Sequence, residues 1–235
     1  MENNDQINQF DPTKGHSKYF LYIAILFVVV LMISNTVATK LFQLGPFFFT
    51  GAVMIFPISY IFGDILTEVY GYRASRRIIW AGFASIIVMA IAYYLVQLLP
   101  PAPFWLHQGA YETILGLVPR IVIGSIIGYF VGEFSNSYIL SKLKMWTKGK
   151  HLWIRTISST VIGEAVDTIL FATIAFVGVI PLNNLITIII SGYLAKVLIE
   201  ILFTPITYIV VRKLKKLEGV DVYDYGVNYN PFLLK

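Results

Sequence analysis

Cysteine is absent from this sequence, histidine occurs three times, and only 13% of the 235 residues are charged. The missing cysteines exclude a disulfide framework and any thiolate metal site, and leave the redox compartment undetermined. Ordinary globular chains carry about 25% charged residues, so there is roughly half the usual material for a wetted surface, which excludes a soluble enzyme. His16, His107 and His151 all lie outside the long apolar runs, so no histidine metal site is expected at bilayer depth and no cofactor is implied. No GxxxxGK[ST] nucleotide loop, His-Glu-x-x-His helix or Gly-x-Gly-Asp protease signature occurs. An enzyme is therefore not expected, and any ATP would be used by another chain.

What the chain has instead is 57% hydrophobic residues and a mean hydropathy of +0.73. A bilayer core about 30 Å thick is crossed by roughly 20 apolar residues in a helix. Six such stretches are present, approximately Tyr19 to Val37, Phe47 to Leu66, Ile78 to Leu99, Pro119 to Ser141, Leu152 to Val177 and Leu185 to Val211. The expected fold is an all-α integral membrane protein of six transmembrane helices. It divides into an amino-terminal tail (1–18), a membrane domain (19–216) and a carboxy-terminal tail (217–235). The first 18 residues are polar and lack both an apolar core and a small-residue cleavage pattern, so they read as a tail before a retained span.

The net charge of +5 depends for its meaning on placement. Lys14 and Lys18 precede the first span, and Arg73, Arg76 and Arg77 follow the second. Lys142, Lys144, Lys148 and Lys150 follow the fourth, and Arg212, Lys213, Lys215 and Lys216 follow the sixth. The opposite connections hold little more than Lys40 and Arg120. By the positive-inside rule both termini are expected in the cytoplasm. A nucleic-acid surface would cluster basic residues with aromatics on one solvated face; here they mark span ends, so the partner is the lipid bilayer and no nucleic acid. A homo-oligomer is compatible with the sequence.

Ionisable side chains at bilayer depth are costly and face a cavity or a partner, which makes them candidate site residues. Asp64 and Glu68 lie in the second span, Glu133 and Asn136 in the fourth, Arg155, Glu164 and Asp167 in the fifth, and Lys196 and Glu200 in the sixth. At 1.5 Å per residue, Glu133, Glu164, Asp167, Lys196 and Glu200 all fall roughly 16–22 Å into their spans. The spacings i,i+3 and i,i+4 put each pair on one helix face, able to line one cavity. One internal ion pair is expected, Lys196 with Glu200, Glu164 or Asp167, and Arg120 or Arg155 with another acid. Glu68 and Asp64 approach the cytoplasmic end, within reach of Arg73 or Arg76. Three embedded cations against six acids leave an excess of acid that is protonated or meets a donor-rich or cationic ligand.

Gly63, Gly132 and Gly163 each precede an embedded acid and allow close approach of a helix or ligand. Pro57 and Pro205, in the related strings Phe56-Pro57-Ile58-Ser59-Tyr60-Ile61 and Thr204-Pro205-Ile206-Thr207-Tyr208-Ile209, each predict a kink or gating break. The outer connection Pro100-Pro101-Ala102-Pro103-Phe104-Trp105-Leu106-His107 is stiff and aromatic, suited either to the membrane interface or to a plain rigid loop.

Several of these residues recur together. Ser34-Asn35 with Lys40, then Phe56-Pro57-Ile58-Ser59-Tyr60, Gly63-Asp64 and Glu68-Val69-Tyr70-Gly71, then Arg155, Ser158-Ser159, Gly163-Glu164 and Asp167-Thr168 with Phe171, form an ordered set. In this the chain resembles the queuosine-precursor transporters, also called the vitamin uptake transporter family, over roughly residues 20 to 216. The resemblance implies a six-span bacterial inner-membrane importer of 7-deazaguanine bases (preQ0, preQ1 or queuine) salvaged for tRNA modification. The family is also similar to the substrate-capture subunits of energy-coupling-factor vitamin importers, which need a partner ATPase; that is the alternative. The first span, where Ala24 stands nearly alone among large residues, lacks a small-residue docking stripe for such a partner.

A deazaguanine presents adjacent ring N–H and amino donors, so on this resemblance Glu164 or Glu133 is expected to accept both. Asn136 or Asn35 then serves the carbonyl edge, and Asp167 meets a protonated aminomethyl group. Tyr129, Phe134, Phe171 or Tyr193 supplies a stacking ring. Asp64, Lys196 and Glu200 complete the expected binding set.

Overall fold

The structure is a computed structural model that describes residues 17–233. The first sixteen residues of the expected amino-terminal tail, and residues 234 and 235, lie outside the described residues. The chain runs through α1 (Phe20–Val37), a hairpin of β1 (Leu41–Leu44) and β2 (Phe47–Thr50), and a 3-10 turn (Gly51–Met54). It continues through α2 (Phe56–Tyr70), α3 (Tyr72–Gln97), α4 (Gln108–Leu115), α5 (Val118–Trp146), α6 (Leu152–Phe176) and α7 (Leu182–Glu218). Among the described residues five helical stretches are long and apolar enough to cross a membrane: α1, α3, α4 running into α5, α6 and α7. The bundle is apolar outside and polar inside. Leu21, Tyr22 and Ile25 on α1 and Leu202 and Ile209 on α7 are exposed, whereas Asp64, Glu133, Asn136 and Ser137 are fully buried. That distribution suits lipid as the solvent.

The second apolar stretch departs from the expected helix. Residues Phe47–Thr50 are a strand paired antiparallel to β1, in the register Leu41↔Thr50 to Leu44↔Phe47, with Phe42 and Phe49 stacked at 5.3 Å. The helix begins only at Phe56. Gly45-Pro46 makes the tight turn, Gly45 taking φ +57°, where glycine is favoured. Pro57 falls in the first turn of α2, where the missing N–H costs nothing, so the kink expected there is absent; Pro205 does lie inside α7. The hairpin packs against α7, and the Ser191 hydroxyl donates to the Phe48 carbonyl at 2.5 Å.

The α5–α6 pair is the closest in the bundle. A Cβ at Gly132 would lie 2.7 Å from the Gly163 carbonyl, and one at Gly163 would lie 2.8 Å from that of Gly132. Gly124 and Gly128 extend the same stripe against the Phe171 and Asp167 carbonyls. Small residues let the two backbones touch, which carries the acids of α6 into the bundle centre.

The ends of several helices meet at one side. The Ser17 hydroxyl, just before α1, donates to Glu218 at the end of α7 at 2.7 Å. The segment 219–233 then crosses the α2–α3 junction and the end of α5. Val222 N–H donates to the Val69 carbonyl, and Asp224 accepts from the Tyr72 N–H (3.1 Å) and the Ser141 hydroxyl (2.6 Å). Arg76 donates to the carbonyls of Asn228 and Asn230, and the Trp80 indole to that of Pro231. Gly71, at φ +85°, makes the α2–α3 turn, and a Cβ there would press within 2.8 Å of Val222. The described part of the expected carboxy-terminal tail beyond α7, residues 219–233, is thus a strap across one end of the bundle.

Candidate functional site

Lys196 on α7 is the central donor. Its ammonium reaches Glu164 Oε2 at 2.9 Å, Asp167 Oδ2 at 2.8 Å and Thr168 Oγ1 at 3.2 Å, and stands 4.4 Å from the centre of the Phe56 ring. All three ionic groups are buried. Glu164 and Asp167 are one turn apart on α6, so the i,i+3 face seen in the sequence does present both to one cation. Glu200 was also open as a partner of Lys196, but among the described residues neither of its carboxylate oxygens has a hydrogen-bond partner.

Beside this node lies a narrow cavity of about 20 Å³, lined by Ser34, Asn35, Phe56, Asp167, Phe171 and Lys196 among others. That is room for about one water molecule. Thr50 and Ala52 also line the cavity, which places the hairpin and the 3-10 turn at one side of it. Asn35 commits its amide N–H to the Leu31 carbonyl at 2.8 Å, leaving Oδ1 without a partner; Asp167 Oδ1 is equally unpartnered among the described residues. The cavity is thus lined by Asn35 from α1 and Asp167 from α6, each keeping one unpartnered side-chain oxygen among the described residues, together with Phe56 and Phe171. Ser34, Thr50, Ala52 and Phe56 line the cavity without belonging to the expected binding set, the aromatic signal of Phe56 being lost among 17 phenylalanines and 15 tyrosines.

The other expected site residues do not line this cavity. Asn136 donates to Asp64 Oδ1 at 2.8 Å, tying α5 to α2, and Ser137 donates to Glu133 at 3.4 Å. The Glu133 carboxylate lies against α2 at Gly63, filling the space a side chain there would need. Tyr129 packs edge-on to Phe56 and Tyr60, inside the aromatic core rather than beside the cavity.

Glu68 belongs to a second network at the strapped end. It was expected near Arg73 or Arg76. Instead its Oε1 accepts from Arg155 (2.9 Å) and Lys215 (2.7 Å), with Lys144 at 3.8 Å. Lys144 also donates to Asp221 at 2.7 Å and to the carbonyls of Glu68 and Val222. Arg120 bonds the carbonyls of Ile174 and Val177 at the end of α6. Within the strap, burial lifts the Asp221 carboxyl, but bonds and charge from Lys144 and Lys215 outweigh it and hold the group below the usual carboxylate range. Burial pushes Asp224 the other way, offset in part by Ser141 and the Tyr72 N–H. Among the described residues no group of His, Asp and Glu is arranged to hold a metal ion.

A lipid-faced bundle with polar groups gathered inside it defines a multi-pass membrane protein. Residues 50–210 match the family described as "Putative vitamin uptake transporter". The chain is 29% identical over 196 residues to the "Probable queuosine precursor transporter" of Bacillus subtilis (strain 168), covering 83% of this chain and 85% of that one. It is 25% identical over 200 residues to the "Queuosine precursor transporter" of Escherichia coli (strain K12), covering 84% and 87%. No solved structure matches it. The chain belongs to the vitamin uptake transporter family, which also contains the queuosine precursor transporters, and this is a family of transporters rather than enzymes.

Proposed function

We propose that this protein imports 7-deazaguanine bases, the precursors of queuosine, across the bacterial plasma membrane. The supporting observation is one cavity lined by Asn35, Asp167 and Lys196 with the aromatic residues Phe56 and Phe171, in which Asn35 and Asp167 each keep an unpartnered side-chain oxygen among the described residues. The ring N–H and amino group of a deazaguanine are adjacent donors on a flat apolar body, which two acceptors and a stacking ring complement. This moves the recognition role from Glu164 or Glu133 to Asp167, with Asn35 beside it. Lys196 then fixes the Asp167 carboxyl through Oδ2, and Glu164 shares that ammonium. Loading a bicyclic base requires the cavity to widen, by movement of Phe56 or of the hairpin at its side.

The transport direction rests on a proposed orientation of six crossings with both termini in the cytoplasm, α2 and the hairpin together making the second. The polar contacts joining Ser17, the α2–α3 turn, the end of α5, the start of α6 and the end of α7 support it, because these are the connections rich in Lys and Arg.

The test is accumulation of labelled deazaguanine bases by purified protein in liposomes without an added ATPase. Asp167→Asn and Asn35→Leu are expected to lower uptake at least tenfold, and Lys148→Ala, at the α5–α6 turn, to leave it unchanged. Retention only at binding stoichiometry supports the capture-subunit alternative. Full uptake by both site variants overturns the assignment.

A further inference from the structure

Five carboxylates are buried in the middle of the bundle: Asp64, Glu133, Glu164, Asp167 and Glu200. Lys196 is the cation among them, and its ion pairs are with Glu164 and Asp167. Lys144, Arg155 and Lys215 are drawn instead to Glu68 and Asp221 at the strapped end. Among the described residues Asp64, Glu133 and Glu200 therefore have no cation within ion-pair distance.

Their hydrogen-bond support is thin. Asp64 receives one amide N–H from Asn136, and its Oδ2 is unpartnered. Glu133 receives the Ser137 hydroxyl at 3.4 Å, and both oxygens of Glu200, a residue 1% exposed, receive nothing. The three also converge. Glu133 is seated on Gly63, the neighbour of Asp64, and Glu200 lies within electrostatic range of Asp64 and Glu164.

The groups facing this centre are Tyr60 and Glu68 from α2, Tyr129 from α5 and Glu164 from α6, with Asp167 beyond Tyr60 and Lys196 one turn from Glu200 on α7. Acids outnumber the one cation. An unpaired carboxylate taken out of water costs several kcal/mol even after relaxation, and neutralisation removes that cost.

We propose that Asp64, Glu133 and Glu200 form a proton-binding centre that couples substrate import to proton entry. This rests on the importer reading above and adds its driving force. Lys196 links the two sites: it stands one turn from Glu200 on α7 and ion-pairs with Asp167 in the cavity. A ligand that engages Asp167 changes how Lys196 is shared with Glu164, and Glu164 in turn lies within electrostatic range of Glu133 and Glu200. The seating of Glu133 against the Gly63 backbone favours a bare proton over a coordinated sodium ion, which needs a shell of oxygens.

Two measurements test the centre. In liposomes loaded with buffer and diluted into acid, accumulation of labelled deazaguanine is expected to rise several-fold over symmetric pH. Glu200→Gln is expected to keep substrate binding and one-for-one exchange while losing the response to the pH gradient. Accumulation indifferent to pH, accumulation that follows a sodium gradient, or a full pH response in Glu200→Gln overturns the proposal. The second measurement needs no substrate. Infrared spectra at neutral pH are expected to show the carbonyl stretch of protonated carboxylic acids, weakened in Asp64→Asn and in Glu200→Gln. Absence of that band in the wild type also overturns it. If the band is present but no deazaguanine base binds or exchanges, the substrate reading fails and the proton centre stands.

Discussion

Lys196 holds two buried carboxylates with one ammonium, so Lys196→Met leaves Glu164 and Asp167 facing each other without compensation. Breaking a buried pair in this way costs about 3–5 kcal/mol. The variant is expected to unfold at a clearly lower temperature in detergent, with Lys196→Met/Asp167→Asn recovering part of the loss but none of the uptake. Equal melting of Lys196→Met and wild type would contradict the central role of this pair. In the strap, Asp221 is held below its ordinary value of 3.8 by Lys144 and Lys215, so its contribution is present above that value and is lost as pH falls through the lowered one. Asp224, raised by burial, contributes in the opposite sense. Proteolysis of the 219–233 segment is therefore expected to accelerate below about pH 4 in Asp224→Asn, and to change little with pH when Asp221→Asn is added. The embedded acids themselves were legible in the sequence, because charge at bilayer depth is rare enough to stand out. Their partners were not: Glu68 finds Arg155 from a distant helix, a pairing set by helix rotation and neighbour order, which one-dimensional spacing does not encode.

Helix α5 carries Gly124, Gly128 and Gly132 four residues apart, and this stripe sets how near α6 can come. Gly132→Ala would place a methyl 2.6 Å from the Tyr60 hydroxyl and 2.7 Å from the Gly163 carbonyl. Because one of those neighbours is backbone, the helices are forced apart. Loss of most folded protein is expected, read by size-exclusion chromatography in detergent. Gly192→Ala, whose new methyl would meet only Thr168 at 3.9 Å, is expected to fold normally. Of the elements of strong apolar length, α1 and α6 were visible in the sequence almost at their observed limits, whereas α3 begins six residues before its apolar stretch, α5 runs five residues past its own and α7 seven. The run Phe47–Thr50 was not, since a short apolar segment reads equally as strand or helix. Its pairing with Leu41–Leu44 depends on the Gly45-Pro46 turn. The brief α4 was missed because its eight residues carry no long apolar run.

For the molecule as a whole, the absence of cysteine becomes an advantage, because one introduced thiol reports without background. Cysteine at His107 is expected to react with a membrane-impermeant maleimide from outside intact cells, and cysteine at Lys148 only after the cytoplasmic side is opened. Labelling of both from the same side would refute the six-crossing orientation. The proposed number of crossings and sidedness rest on length and charge, both written along the chain; the narrow cavity and the strap arise from contacts between residues as far apart as Ser17 and Glu218.

The strap also bears on how the protein is made. Segment 219–233 leaves the ribosome after every helix it fastens, so the ends of α2, α3 and α5 stand unsealed throughout membrane insertion. Lys144 awaits Asp221 and Val222, and Arg76 awaits the Asn230 carbonyl, until synthesis has passed those residues. Maturation of this bundle is thus a closing step performed after translation of the helices. A bulky domain fused behind the strap would burden that step rather than the insertion of any single helix.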